Sequence, residues 1–417
     1  MHRPRIGINL TPDRVKYCAR IYVLPAGDCE YRHFGKRIER TNTFFRTENP
    51  YITCDLIDMK LSRYIVFTGL ILNVSLMVIA QRSYTPNSVL SSGSWYKIRI
   101  KDPGIYKMDI PFLNSLGINT SNLPSGSVRL YGNSGQMLAE ANAGLWTDDL
   151  KENSIQVIDG NDGIINGSDY ILFYATGPDE WIKDSANLKF SHRKNIYSDK
   201  SCYFLSVGGT GKRIGTTNNN LSANITVNSF SERFFHELDT VNFLASSKEW
   251  YGEEFANAPG KTLTRNFTVN IPDIQNNAAL LLQSNFVARS VGTGSRFDIK
   301  VNSLPAGQGT INPVSGGQYD LFAQQATIAA STIATQNSIV ISYTYTPGSF
   351  NSQGWLNWFE LFTRRDLSLN GVDQLLFRDW QSVGNNIGEF VVRNATVSTQ
   401  VWEVTDPLNP VLMPGVF

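Results

Sequence analysis

WYKIRIKDPGIYKMDI, residues 95–110, decides how the rest of the chain is read. Residues 95–100 alternate apolar with charged side chains, the period of a strand that buries one face. Asp102-Pro103-Gly104 interrupts with turn chemistry, and residues 105–110 form a second run. Pro111 suits a first helical turn and Gly117 a left-handed stop, so residues 111–116 are expected as a short helix. Residues 127–131 and 136–140 surround Gly132-Asn133-Ser134-Gly135 and predict a hairpin. Residues 154–158 and 170–175 flank a second turn-rich loop, and residues 201–207 complete the series.

Working outward, residues 208–224 (GGTGKRIGTTNNNLSAN) have almost no apolar content and are expected as a linker or long loop. Strand-like runs return at 266–271, 278–288, 297–301, 338–345, 355–361 and 389–401, spaced by Gly, Asn and Pro as in a β-sandwich. Neither a long amphipathic helix nor a fixed-period repeat is visible. The expected fold is mainly β, with two β-sandwich-like domains.

Across 417 residues, 41% are hydrophobic and 12% aromatic, which excludes a disordered chain. A formal net charge of +1 offers no basic field, so a nucleic-acid partner is not expected. The average hides a boundary. Residues 1–80 hold 12 of the 37 Lys and Arg and 7 of the 36 Asp and Glu, leaving 25 basic against 29 acidic residues beyond. Residues 59–81, MKLSRYIVFTGLILNVSLMVIAQ, join a basic start to an apolar run and a small-residue site, the three-part grammar of a secretory signal. Cleavage between Ala80 and Gln81 is expected, with Met59 as initiator and an exported product. The expected division is then an extraneous or disordered extension at 1–58, a signal peptide at 59–80 and a mature N-terminal segment at 81–94. A first β domain at 95–207, a linker at 208–229, a second β-sandwich domain at 230–406 and a connector at 407–417 complete it.

Candidate chemistry is sparse. Cys18, Cys29 and Cys54 precede the signal, leaving Cys202 alone in the body, so neither a disulfide framework nor a multi-cysteine metal site is expected. Cys202 and His192 are close in sequence, but Cys202 opens an apolar Cys-Tyr-Phe-Leu strand and is expected buried and inert. Asp159, Asn161, Asp162, Asn166 and Asp169 supply oxygen ligands around Gly163, as a calcium loop does. The glycine stands one place short of the EF-hand position, and a tight hairpin demands the same residue types. Glu253 and Glu254 follow Trp250-Tyr251-Gly252, yet adjacent strand residues face opposite ways and would not share a catalytic site. His236-Glu237-Leu238-Asp239 lacks the second histidine of a zinc helix. Trp355 and Trp358, three apart on a strand, are expected on opposite faces, with at least one in the core. No catalytic residue and no cofactor is expected.

Five segments in order carry a resemblance. They are Trp95-Tyr96-Lys97 with Gly104-Ile105-Tyr106-Lys107, and Asp162-Gly163 with residues 169–175 and Gly177-Pro178. Next come His192, Asn195, Tyr197, Ser198 and Asp199 before Tyr203-Phe204-Leu205, and His236-Glu237 with Glu249-Trp250-Tyr251-Gly252-Glu253. Trp355-Leu356-Asn357-Trp358 with Arg364-Arg365 is the fifth. Together, over residues 94–410, they resemble the N-terminal region of the type IX secretion sortases, gingipain-type cysteine peptidases of Bacteroidetes. The resemblance implies an exported protein at the outer-membrane surface that removes the C-terminal signal of secreted cargo and joins cargo to lipopolysaccharide. It implies secretion-system components and cargo as partners, with lipopolysaccharide engaged through a part not present here. The catalytic His and Cys of that family belong to an α/β peptidase domain that this chain lacks, so inactivity alone is expected. The competing reading is a surface adhesin or carbohydrate-binding β-sandwich.

Overall fold

The computed structural model describes residues 84–142, 144, 146–217, 222–243, 248–384 and 387–415, with the backbone of Tyr17–Ala19. Tyr17–Ala19 runs parallel to Gln374–Leu376 and Gln400–Glu403, between them. The rest of residues 1–58, the signal at 59–80 and the Ala80/Gln81 site lie outside the described residues. Among the described residues no helix is long and apolar enough to cross a membrane.

The fold is mainly β. In its first part, Ser201–Val207 pairs on one side with Tyr96–Ile100 and on the other with Val128–Tyr131, all antiparallel. A second sheet sets Tyr170–Ala175 between Gly104–Asp109 and Ile155–Ile158. Leu130, Tyr203 and Leu205 of the first sheet pack against Met108, Ile171 and Phe173 of the second. Each such large apolar side chain contributes about 1.5–3 kcal/mol on burial. The far face of Tyr170–Ala175 is also covered, because Leu172 and Tyr174 meet Trp402 and Val404. A strand buried on both faces reads as a continuous apolar run, and all six residues of YILFYA are buried.

Between the first two strands and the next comes the helix Ile110–Ser115. Asp109 caps it by accepting the Phe112 N–H at 3.0 Å, and Gly117 takes the left-handed φ of +83° that ends it. On the side away from Tyr170–Ala175, Gly104–Asp109 is hydrogen-bonded, among the described residues, by a side chain and not by a strand backbone. The Gln374 amide accepts from Ile105 N at 2.8 Å and donates to Ile105 O at 2.9 Å.

The second part is a sandwich of two antiparallel sheets. Gln353–Asp366, fourteen residues long, pairs with Ser229–Glu237, Ala279–Arg289 and Glu254–Ala256, and Gln324–Ile333 extends this sheet. Opposite stand Thr264–Asn270, Ser338–Thr346, Ser295–Val301 and Leu304–Ile311 in that order. Phe286 stacks on Phe297 at 4.0 Å in the core, and Ser284 and Tyr343 exchange a buried hydroxyl hydrogen bond of 2.7 Å. Burial holds the Tyr343 phenol neutral, its pKa raised far above the tyrosine range. Gly307 and Gly309 bring the two sheets together at one edge, since a Cβ at Gly309 would lie 2.5 Å from Ile328 Cγ1.

Three expectations need correction. Residues 136–140 form no strand. Gly132 and Asn133 instead hold residues 149–151 through Gly132 N to Lys151 O and Asn133 Nδ2 to Asp149 O, so Tyr131 pairs with Glu152. The run at 389–401 is two strands, Gly388–Phe390 and Gln400–Glu403, separated by a turn with Asn394 at φ +58°. Cys202 is half-buried, not buried. Ser201, Tyr203 and Leu205 take the inward face of their strand, so alternation turns Cys202 outward, across from Arg99.

Residues 208–217 and 222–229 are fastened along their length. Arg213 donates to Ser125 and Val128 carbonyls, Gly215–Thr216 pairs with Val411–Met413, and Ile225–Val227 pairs with Gly388–Phe390.

Candidate functional site

The feature that joins the two parts is a hairpin of the first lying on the outer face of the sandwich. Glu180–Asp184 pairs with Lys189–Arg193, setting Trp181 beside His192 and Lys183 beside Phe190. The sandwich answers with Arg233, Phe235 and Glu237, alternate residues of one strand and therefore on one face. The Arg233 guanidinium lies 4.1 Å from the Phe190 ring and 4.6 Å from that of Trp181. Trp181 meets Phe235 edge-on at 5.6 Å, and Phe190 packs on Trp380 at 4.7 Å.

At the centre is His192. Its side chain is 3% exposed and stacks on Phe235 at 4.4 Å, with the edge of Trp358 at 5.3 Å. Nδ1 lies 2.7 Å from Glu360 Oε1 and Nε2 lies 2.6 Å from Glu237 Oε2. The Glu360 oxygen also accepts the His192 backbone N–H at 2.6 Å. Carboxylates at both nitrogens can only accept, so this geometry favours a ring protonated at Nδ1 and Nε2. Burial pulls its pKa down, but the hydrogen bonds and charges of Glu237 and Glu360 outweigh burial, and the pKa is raised. Glu360, 2% exposed, would be an uncompensated buried charge without this partner. Lys194 continues the join, bonding Asp239 at 2.8 Å and the Glu237 carbonyl at 3.1 Å.

A β-bulge shapes the sandwich side of this junction. Asn285 opposes Trp358 and Phe286 opposes Leu356, leaving Asn357 as the extra residue. Leu356 and Phe359 consequently both reach the core, and Trp355 and Trp358 share the outer face. This corrects the expectation of opposite faces, which assumed unbroken alternation. Trp355 is 4% exposed, covered by Tyr251 and by Phe243 at 4.7 Å, so it offers no open sugar platform. Buried Asn357 donates to Glu249 at 2.7 Å and to Asn285 at 3.1 Å, and Gln325 donates to the same Asn285 oxygen.

Beside the junction lies an open cleft of about 970 Å³. Ile105, Tyr106 and Tyr174 line it from the first part, and Glu232, Arg365 and Arg378 from the other side. Glu232 takes Arg365 Nη1 at 3.0 Å and Arg378 Nη1 at 3.3 Å, and Arg364 pairs with Asp379.

The remaining candidates fall elsewhere. His192 is taken by its two glutamates and Cys202 faces Arg99, so the structure does not bring them together. The loop from Asp159 to Asp169 joins paired strands as a hairpin. Its carboxylates accept donors of the loop itself: Asn161 N on Asp159, Ile164 N and Asn166 Nδ2 on Asp162, and Asn166 N on Asp169. Among the described residues no group of three or more His, Cys, Asp or Glu is placed to hold a metal ion. Glu253 contacts His236 at 2.8 Å, whereas Glu254 receives Lys261 and Gln353. Glu360 carried no signal in the sequence beyond an acid between Phe359 and Leu361 in an apolar run.

The arrangement is a mainly β structure in which a hairpin of the first part is held against the sandwich by a buried histidine between two glutamates. Among solved structures the chain is similar to dimeric latent PorU from Porphyromonas gingivalis, with 23% identity and a TM-score of 0.66. The match covers 82% of this chain and 31% of that one, so this chain spans under a third of that structure's length. At that identity the likeness shows a shared fold. Carbohydrate-binding module CBM36 in complex with calcium and xylotriose (9% identity, TM-score 0.20) covers 31% of this chain and 98% of its own. BuGH86 in complex with neoagarooctaose (11%, TM-score 0.21) covers 65% of this chain and 32% of its own. Neither likeness is close enough to carry an argument. No family model and no curated protein matches the sequence.

Proposed function

We propose that this chain is the non-catalytic N-terminal part of an exported PorU-like sortase of the type IX secretion system. Its role in this reading is to hold two β bodies in a fixed relation and to position a peptidase domain that lies beyond it. That domain would remove the C-terminal signal of secreted cargo and attach cargo to surface lipopolysaccharide, at the outer membrane or cell surface of a Gram-negative bacterium. The supporting observation is the convergence of three of the five resemblance segments at one junction. His192, the pair His236-Glu237 and the WLNW segment are far apart in sequence, yet His192 touches both Glu237 and Trp358. A structural likeness over 82% of the chain accompanies it.

The test is to express this chain, and separately the longer reading frame of its gene, and to offer each a cargo C-terminal domain. The expected result is a cooperative melt and no hydrolysis by this chain, with cargo cleavage by the longer product. Hydrolysis by this chain alone, or a longer frame without peptidase activity, would overturn the reading.

A further inference from the structure

Three loops meet at one end of the sandwich and carry its two most exposed aromatic side chains. Residues 290–294, 313–323 and 347–352 meet there, and their backbones are interlocked. Val314 N donates to Ser290 O at 2.9 Å and Gly292 N to Val314 O at 3.0 Å. The Ser290 and Ser352 hydroxyls are 2.7 Å apart. Arg289 braces the third side by donating to Phe322 O at 3.0 Å, with its guanidinium 4.4 Å over the Phe322 ring. From this base project Tyr319, Phe350 and Leu321, exposed by 94%, 83% and 67%, with Val291 beside them at 44%.

We infer that this end of the sandwich is a lipid-contact surface, whose projecting Tyr319, Leu321 and Phe350 enter the interfacial layer of a membrane. Three observations select a lipid over a protein. Tyr319 and Leu321 share one turn and Phe350 stands on another, all three exposed, a shape suited to insertion and not to the flat, packed centre of a protein interface. Asp320 is the single charged side chain in the three loops, and its carboxylate accepts the Ser315 hydroxyl. Little charge would be dragged out of water on insertion. Tyr and Phe with an adjacent Leu are the residue types that settle at a bilayer interface.

The experiment is co-sedimentation of the whole chain with vesicles of phosphatidylcholine, alone or mixed with phosphatidylglycerol, at low and high salt. The wild-type chain should partition on to both kinds, with little salt dependence. The triple variant Tyr319→Ser/Leu321→Ser/Phe350→Ser should lose about tenfold for each side chain withdrawn, with an unchanged melting curve. Tyr319→Trp keeps the apolar tip and should show a blue-shifted emission when vesicles are added. Failure of the wild type to partition, equal binding by the triple variant, or an unshifted emission from the Tyr319→Trp variant would each overturn the proposal. So would binding that needs phosphatidylglycerol and vanishes in salt, which would place the contact on charged groups elsewhere. Self-association without vesicles that the triple variant abolishes would assign the surface to a second copy of the chain instead.

Discussion

Replacing His192 by alanine tests the junction directly. The substitution leaves Glu360 and Glu237 facing one another's field with no cation between them, and Glu360 is 2% exposed. Breaking a buried pair by removing one partner costs about 3–5 kcal/mol. All three side chains are well under one-third exposed, so solvent screening does not reduce this range. At roughly 2 °C per kcal/mol for a protein of this size, the midpoint should fall by about 6–10 °C. Trp181 and Trp358 flank the site, so intrinsic fluorescence during urea unfolding reports on it. The pH dependence has a definite sign. A histidine whose folded pKa is raised contributes fully below its unfolded value, near pH 6.5, and loses that contribution as pH rises through the folded pKa. Wild type and variant should therefore differ most near pH 6 and converge toward alkaline pH. A gap under about 1 kcal/mol at pH 6, or a gap that does not narrow above it, would refute the imidazolium clamp.

Trp355→Ala should destabilise by about 3–5 kcal/mol in urea melts, because the indole fills a site walled by Tyr251, Val287 and Phe243. Gly309→Val should cost about 1–3 kcal/mol, read the same way, since its side chain must displace Ile328 at the point where the sheets close. Cys202 should react with a polar thiol reagent in the folded protein without prior unfolding, and labelling only at the unfolding rate would contradict its outward placement. Excess calcium should leave the melting midpoint unchanged, because donors of the hairpin already occupy the carboxylates of Asp159, Asp162 and Asp169.

The sequence was most legible where local chemistry acts alone. Pro111 and Gly117 bracket the helix because a fixed φ and a left-handed stop are properties of single residues. The strand runs with large apolar residues, such as residues 338–345, were likewise readable from alternation. Leu304–Ile311 and Gln324–Ile333 escaped notice because their inward positions are mostly Gly and Ala, with one core Ile apiece, Ile311 and Ile328. Gly132–Gly135 carried a hairpin signature, but the Asn133 side chain binds residues 149–151 more effectively than the chain binds itself. The junction was hidden for a different reason. Glu360 is an acid in a core strand until His192, 168 residues earlier, is placed against it. The bulge at Asn357 is a matter of pairing, and pairing partners are absent from a local window.

Gln374 closes a sheet edge that the local sequence leaves open. A strand at the end of a sheet is a template on which another chain can build, and many proteins blunt such ends with charge, proline or a covering loop. Here a single amide presents one acceptor and one donor to Ile105 at the spacing a neighbouring backbone would use. It behaves as a strand one residue long, because among the described residues no further backbone hydrogen bond continues it along the edge. The neighbouring Gly104 keeps the approach open, since a Cβ there would stand 2.9 Å from the Gln374 oxygen. The chain thus terminates its own sheet with a plug drawn from 269 residues away, and only a molecule that has completed its C-terminal folding is sealed. During synthesis, or in any fragment that ends before residue 374, Gly104–Asp109 is left as an open edge, and such fragments should aggregate where the whole chain does not.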